Sequence, residues 1–257
     1  MRPHVLALCL LLPACAVDQS EEVRIGRENA QAANARLPLV RDAVIAEYVQ
    51  QLGADIASRT SRADLDWRFS VVDSREVNAF ALPGGFVYVN RGLIERADRL
   101  DELAGVLGHE IGHVVRRHGV QQMQNGARAN TAIGLGCSLT GWCDNTVTQA
   151  AIQVGGAALF ARYSRADEAE ADSEAVVNVV RTGLDPEGIP ALFRRLIAER
   201  RTSPLAIEAF FASHPMEEER VRATEEQIGA IDPAMRRGLA RDDPGYREMR
   251  QRLMMLP

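Results

Sequence analysis

Two histidines four residues apart, His109 and His113, bracket a glutamate in Leu107-Gly108-His109-Glu110-Ile111-Gly112-His113. On a helix, positions four apart differ by only about 40° of rotation, so both imidazoles leave one face a turn apart. Such a pair can hold one zinc ion with Zn–N bonds of ~2.0–2.1 Å. Glu110 stands about 100° round from His109. That is too far to share the metal, and near enough to take a proton from a water the metal polarises. The chemistry is hydrolytic attack on a carbonyl. A solvated helix face is the plain alternative. Against it, Leu103, Val106 and Leu107 flank the motif, and Gly108 and Gly112 lie inside the helix. Each glycine costs about 1 kcal/mol relative to alanine, which calls for a packing reason.

A catalytic zinc takes a third protein ligand and keeps a fourth position open. A third histidine six residues after His113 would fall at Gly119, and Arg116 stands where that pattern has glycine, so the metzincin pattern is excluded. His118 falls about 180° round from His109 on a continuous helix. It is expected to face away and to serve the helix C-terminus, where positive charge is favoured. The acidic run Ser164-Arg165-Ala166-Asp167-Glu168-Ala169-Glu170-Ala171-Asp172 supplies the remaining candidates. As a helix it sets Glu168 and Asp172 on one face; Glu170 and Glu174 share another face at the same spacing. By geometry alone either pair could give a ligand and a carboxylate that steadies a ligand imidazole.

The elements that must position these groups are mainly helical, in an α+β arrangement. Val40, Val44, Tyr48, Leu52 and Ile56 recur at helical spacing within 39–58. Strands are predicted over 67–72, 77–82 and 86–89, the last two forming a hairpin about Pro83-Gly84-Gly85. A helix capped by Asp98 or Asp101 is predicted to run to about His118, stopped by Gly119. Further helices are predicted over 146–163, from Ser164 or Asp167 to Arg181, over 189–201 and over 217–230. A polar segment, 16–36, reads as a tether and helical lead-in, and residues 37–257 as one domain.

The chain has 257 residues, 35 acidic and 30 basic, for a net charge of −5, and every basic residue is arginine. That balance argues against nucleic acid as a partner. The run Val5–Leu12 is apolar but far short of the ~20 residues that span a bilayer. With Leu12-Pro13-Ala14-Cys15 it resembles a lipoprotein signal, residues 1–14, with lipidation at Cys15. The mature protein is then expected to be held to a membrane by acyl chains, and Ala16 after the cysteine favours the outer membrane, by resemblance to Gram-negative lipoproteins. In that oxidising compartment Cys137 and Cys143 are expected to form a disulfide.

His-Glu-x-x-His followed some fifty residues later by Ser-Arg-x-x-Glu-x-Glu-Ala-Asp resembles the zinc metallopeptidases related to the CAAX prenyl protease and the heat-shock protease HtpX. Within them the chain is most similar to the exported BepA- and LoiP-like periplasmic branch. The resemblance also rests on Val77 to Gly85, Gly108 to Gly119, and Ser213-His214-Pro215 with Arg220. It implies a zincin-like, gluzincin domain with a small three-stranded sheet and one zinc ion. It makes Glu168 the third ligand beside His109 and His113, with Asp172 steadying an imidazole. It brings His214 and Arg220 to the active site, either to stabilise the oxyanion or, for His214, to close over the zinc as a fourth ligand. It makes Asn78, Ala79 and Phe80 part of an edge strand that pairs with an extended substrate.

Residues 217–257 are too few for the C-terminal repeat module of BepA-like members, which favours the compact LoiP-like type. The implied activity is a zinc endopeptidase, with Glu110 as general base, acting on unfolded or misassembled envelope proteins from the periplasmic side. The alternative is a zinc-containing chaperone or assembly factor latched by His214, with little proteolysis.

Overall fold

A computed structural model describes residues 17–127, 163–215 and 218–257. The signal segment with Cys15, the Cys137–Cys143 pair and nearly all of the helix expected over 146–163 lie outside the described residues. Helix α1, Gln19–Arg36, starts where the Asp18 carboxylate accepts the Glu21 N–H. Helix α2, Ala43–Ala57, is capped by Asp42 and buries Ile45, Val49, Gly53 and Ile56 along one stripe. Strands β1 (Arg68–Val72), β2 (Ala79–Leu82) and β3 (Phe86–Asn90) form a sheet in the order β1-β3-β2. β3 is central, parallel to β1 and antiparallel to β2. The hairpin turns on Gly84 and Gly85, both at positive φ. β2 therefore lies at an edge of the described sheet.

A short helix, α3 (Arg91–Ile94), leads to α4, Leu100–Val115, which carries the histidines. Residues 100–114 of α4 are all buried, so this helix runs through the core rather than along a surface. Its N-cap is Arg99, without a side-chain cap, and neither Asp98 nor Asp101 caps it. Asp101 and Glu102 sit instead in the first turn, where carboxylates suit the helix dipole. The C-terminal segment meets the exposed ends there: Leu100 N–H donates to Asp242 Oδ1 and Asp101 N–H to the Arg241 carbonyl.

The helix also stops earlier than its sequence suggests, at Val115. Arg117 takes φ 60, a left-handed conformation, and helix resumes at His118. Gly119, the expected stop, lies beyond the break.

Helix α5, Arg165–Arg181, begins with a full capping box between Ser164 and Asp167. It packs along α4 at very short range. A Cβ on Gly112 would lie 2.8 Å from the Ala171 carbonyl oxygen, and one on Gly108 3.3 Å from Ala175 Cα. This is the packing reason for glycines inside a buried helix: they let α5 come close enough for short acidic side chains to reach the histidines. Helices α6 (Gly188–Thr202), α7 (Pro204–Ser213) and α8 (Glu218–Gly229) cover the other side. α6 packs on α4, and α8 packs on α5 and α6. The short α9 (Pro233–Arg236) and α10 (Pro244–Met254) complete the chain. α10 buries Tyr246, Met249 and Leu253, an amphipathic stripe that the charged composition of this stretch conceals. No helix of the described residues is long and apolar enough to cross a membrane.

Candidate metal centre

Helix α4 presents His109 and His113 on one face, as their spacing requires, and α5 presents Glu168 opposite them. The Nε2 atoms of the two histidines are 3.0 Å apart. Glu168 Oε2 lies 3.5 Å from His109 Nε2, and Oε1 lies 3.4 Å from His113 Nε2. The His214-Pro215 segment after α7 brings a fourth donor. His214 Nδ1 is 3.3 Å from His109 Nε2 and 3.1 Å from Glu168 Oε1. All four side chains are buried. A tetrahedral ion with bonds of ~2.0–2.1 Å has donor atoms about 3.3–3.4 Å apart. The observed separations, 3.0 to 3.5 Å, match that edge length. The four donors are thus spaced as one metal ion would need them.

A further shell orients them. His109 Nδ1 is 2.8 Å from Asp172 Oδ1, which turns Nε2 toward the other donors. Arg220 holds Asp172 with Nε at 2.9 Å from Oδ2 and Nη2 at 2.7 Å from Oδ1. Its Nη1 bonds Glu168 Oε2 and the Pro215 carbonyl. One guanidinium thus ties the ligand carboxylate, its supporting carboxylate and the His-Pro segment together.

Electrostatics follow from this crowding. Burial works against the charge of Glu168, but His214, His109 and His113 around it hold its carboxyl far below the usual carboxylate range. Burial pulls the His109 ring down, and Asp172 and Glu168 outweigh that pull, raising it to about 10.

Glu110 behaves differently. It is fully buried, and neither carboxylate oxygen has a hydrogen-bond partner among the described residues. His214 Nε2 stands 3.5 Å from its Oε1. Burial pushes its pKa up. A buried carboxylate without a hydrogen bond is costly and marks a group kept for a transient partner.

A buried His-Glu-x-x-His helix facing a glutamate from a second helix agrees with one further finding: the sequence pattern of peptidase family M48 matches residues 44–228. The chain belongs to peptidase family M48. Among its M48 relatives, the beta-barrel assembly-enhancing protease of Escherichia coli K12 is 25% identical over 223 residues, 83% of this chain and 45% of that protein. The mitochondrial metalloendopeptidase OMA1 of Schizosaccharomyces pombe is 30% identical over 181 residues, 70% of this chain and 52% of that one. The metalloprotease LoiP of Escherichia coli K12 is 28% identical over 165 residues, 63% of each. The chain spans less than half the length of the beta-barrel assembly-enhancing protease it matches. Residues 44–228 thus form an M48 peptidase domain, and the His109–His113–Glu168–His214 cluster is its candidate metal site.

The alternative pair, Glu170 and Glu174, does not enter the site. Both lie near Arg116, past the C-terminal end of α4, Glu174 at 2.9 Å and Glu170 at 3.8 Å. Two residues that were not anticipated do enter. Tyr163 stacks on the His113 ring at 3.8 Å between centroids, and its N–H donates to the Ser213 carbonyl. His118 does not face away: its Nδ1 lies 2.9 Å from His113 Nδ1. The 180° expectation assumed an unbroken helix, and the left-handed Arg117 breaks it. Asn78 and Phe80 are part-buried and Ala79 buried, with Ala79 and Phe80 in β2 and Asn78 just before it.

Proposed function

We propose that this M48 protein is a zinc-dependent endopeptidase of unfolded or misassembled envelope proteins. It faces the periplasm from the outer membrane and is anchored through a lipid on Cys15. The observation that carries the hydrolytic reading is the unpartnered Glu110 beside a buried four-donor cluster. His109, His113 and Glu168 are the ligands, a set of two nitrogens and one carboxylate that suits zinc. When bound, zinc supplies Lewis acidity toward a substrate carbonyl and acidifies water at the centre.

The chain's own residues do the rest. Glu110 takes a proton at its free carboxylate, and its raised pKa suits passing that proton to a departing amine. Asp172 holds His109 in one tautomer. Arg220 has each guanidinium nitrogen engaged, so it acts by fixing Glu168, Asp172 and the Pro215 carbonyl in place. The edge strand β2, with Asn78 before it, offers backbone to an extended substrate beside α4, which suits a protease of many sequences. The relatives support the envelope setting, since one is named for assembly of β-barrels.

Glu110→Gln is the test. The variant retains zinc and loses cleavage of an unfolded substrate such as casein by at least about 100-fold, the scale of general-base catalysis. Full cleavage by that variant refutes the mechanism.

One observation favours a second reading. His214 Nδ1 lies 3.3 Å from His109 Nε2 and 3.1 Å from Glu168 Oε1, which supports a state in which it takes the fourth position and closes the centre to substrate. A protein held in that state binds clients and cleaves little, as a latched assembly factor.

A further inference from the structure

The break after α4 has a cause remote in sequence. A left-handed conformation costs a residue with a Cβ about 1–2 kcal/mol and persists only where its surroundings impose it. At Arg117 the imposing group is Glu22 of α1, a completely buried carboxylate. Glu22 Oε2 accepts from Arg117 Nε at 2.8 Å. Its Oε1 accepts from Arg62 Nη1 at 2.7 Å and from Gly84 N–H at 3.2 Å. Arg62 Nη1 also donates to the Val114 carbonyl at 2.9 Å, in the last turn of α4. Helix α1 is pressed into place: a Cβ on Gly26 would lie 1.8 Å from the Pro83 carbonyl oxygen. The turn at 116–117 is thus clamped from α1.

The clamp folds His118 back under His113. His118 is buried, with Nδ1 2.9 Å from His113 Nδ1 and Nε2 3.6 Å and 3.7 Å from Asp167 Oδ1 and Glu170 Oε2. The protons on this chain of groups are fixed by elimination. With His113 Nε2 as a metal ligand, as proposed, its Nδ1 carries the hydrogen and donates. His118 Nδ1 must then be the acceptor, which leaves its own proton on Nε2, toward the two carboxylates.

We infer that His118 is a positioning residue for the metal ligand His113, as Asp172 is for His109, and that helix α1 sets it there through Glu22. The inference rests on the proposed ligand role of His113.

The test uses the full chain loaded with zinc, a chromogenic chelator, and the rate of zinc release. Losing such a partner typically costs 10–100-fold in metal affinity or activity. His118→Phe keeps a ring and removes the acceptor, and should release zinc about 10–100-fold faster. His118→Asn keeps an acceptor oxygen near the Nδ1 position and should stay within about 3-fold of wild type, on the same scale. Glu22→Gln should also speed release. Adding Arg117→Gly to it should recover most of the loss, because glycine takes this φ without strain. A purely structural role would not separate Phe from Asn. Equal release from those two variants, or wild-type release from His118→Phe, overturns the inference. A wild-type protein that takes up no zinc fails the metal-centre reading itself, which separates the two failures.

Discussion

Gly112 of α4 and Ala171 of α5 touch through their backbones: a methyl group on Gly112 would sit 2.8 Å from the Ala171 carbonyl oxygen and 2.9 Å from its Cα. Backbone cannot rotate away as a side chain can, so the helices would have to part. Glu168 and Asp172 flank Ala171 on α5 and would move with it. Gly112→Ala is expected to cost about 1–3 kcal/mol, the range for overpacking a dense interface. It should also weaken metal retention in the protein that still folds. Gly126→Ala is the control, since nothing lies within 4 Å of a Cβ there, and it should stabilise the helix by up to about 1 kcal/mol. Equal melting temperatures for wild type and Gly112→Ala would refute the close-contact account.

His214→Ala tests the closed state directly. The imidazole contributes a fourth donor and stands 3.5 Å from Glu110. Removing it should open the fourth position and raise cleavage of unfolded substrate several-fold, while a chelator strips the metal faster. Reduced cleavage would instead make His214 a helper of the reaction.

Asp172→Asn separates orientation from charge. Asp172 accepts from Arg220 through both oxygens and holds His109 Nδ1 at 2.8 Å. The amide keeps the shape and loses the charge that favours a proton on His109 Nδ1. Metal affinity should fall about 10–100-fold, the usual range for such partners. A competition titration against a chelator checks this, with an unchanged affinity as the refuting result.

Stability should vary with pH through Asp101. Its side chain is fully buried at the start of α4, bonded to Arg99 at 3.0 and 3.1 Å. Burial pushes its carboxyl up to about 6, and Arg99 offsets only part of that. An acid with a higher pKa folded than unfolded favours folding in its protonated form. Its contribution is complete below about pH 4, near the unfolded value, and is lost as pH rises through about 6. Asp101→Asn should flatten that dependence. Denaturant midpoints at pH 4, 5, 6 and 7 are the measurement.

The donors on regular helix were legible because their spacing is local. His109 and His113 are four apart, and the Ser164–Asp167 box fixes where the acidic helix begins. Spacing alone did not choose Glu168 over Glu170. The structure does, by facing one toward the histidines and the other toward Arg116. His118 was misplaced because nothing in Arg116-Arg117 announces a left-handed residue; its cause, Glu22, lies 95 positions away. Tyr163 had no signal, since stacking on an imidazole leaves no periodicity. The helices over 204–213 and 244–254 each open with proline at the first position, after Ser203 and Asp243, a start signal that was available.

Arg220 joins the Pro215 carbonyl to Glu168, so the segment that fills the fourth position and the carboxylate that builds the centre hang from one cation. If His214 is the latch of the second reading, a substrate arriving at this centre meets an internal competitor already seated. Displacing His214 means loosening a contact on which the centre itself depends. On the latched reading such a protease would idle by default and work in proportion to how well a client displaces that occupant. Sparing well-folded neighbours then needs no separate inhibitor, because selectivity resides in the effort of entry.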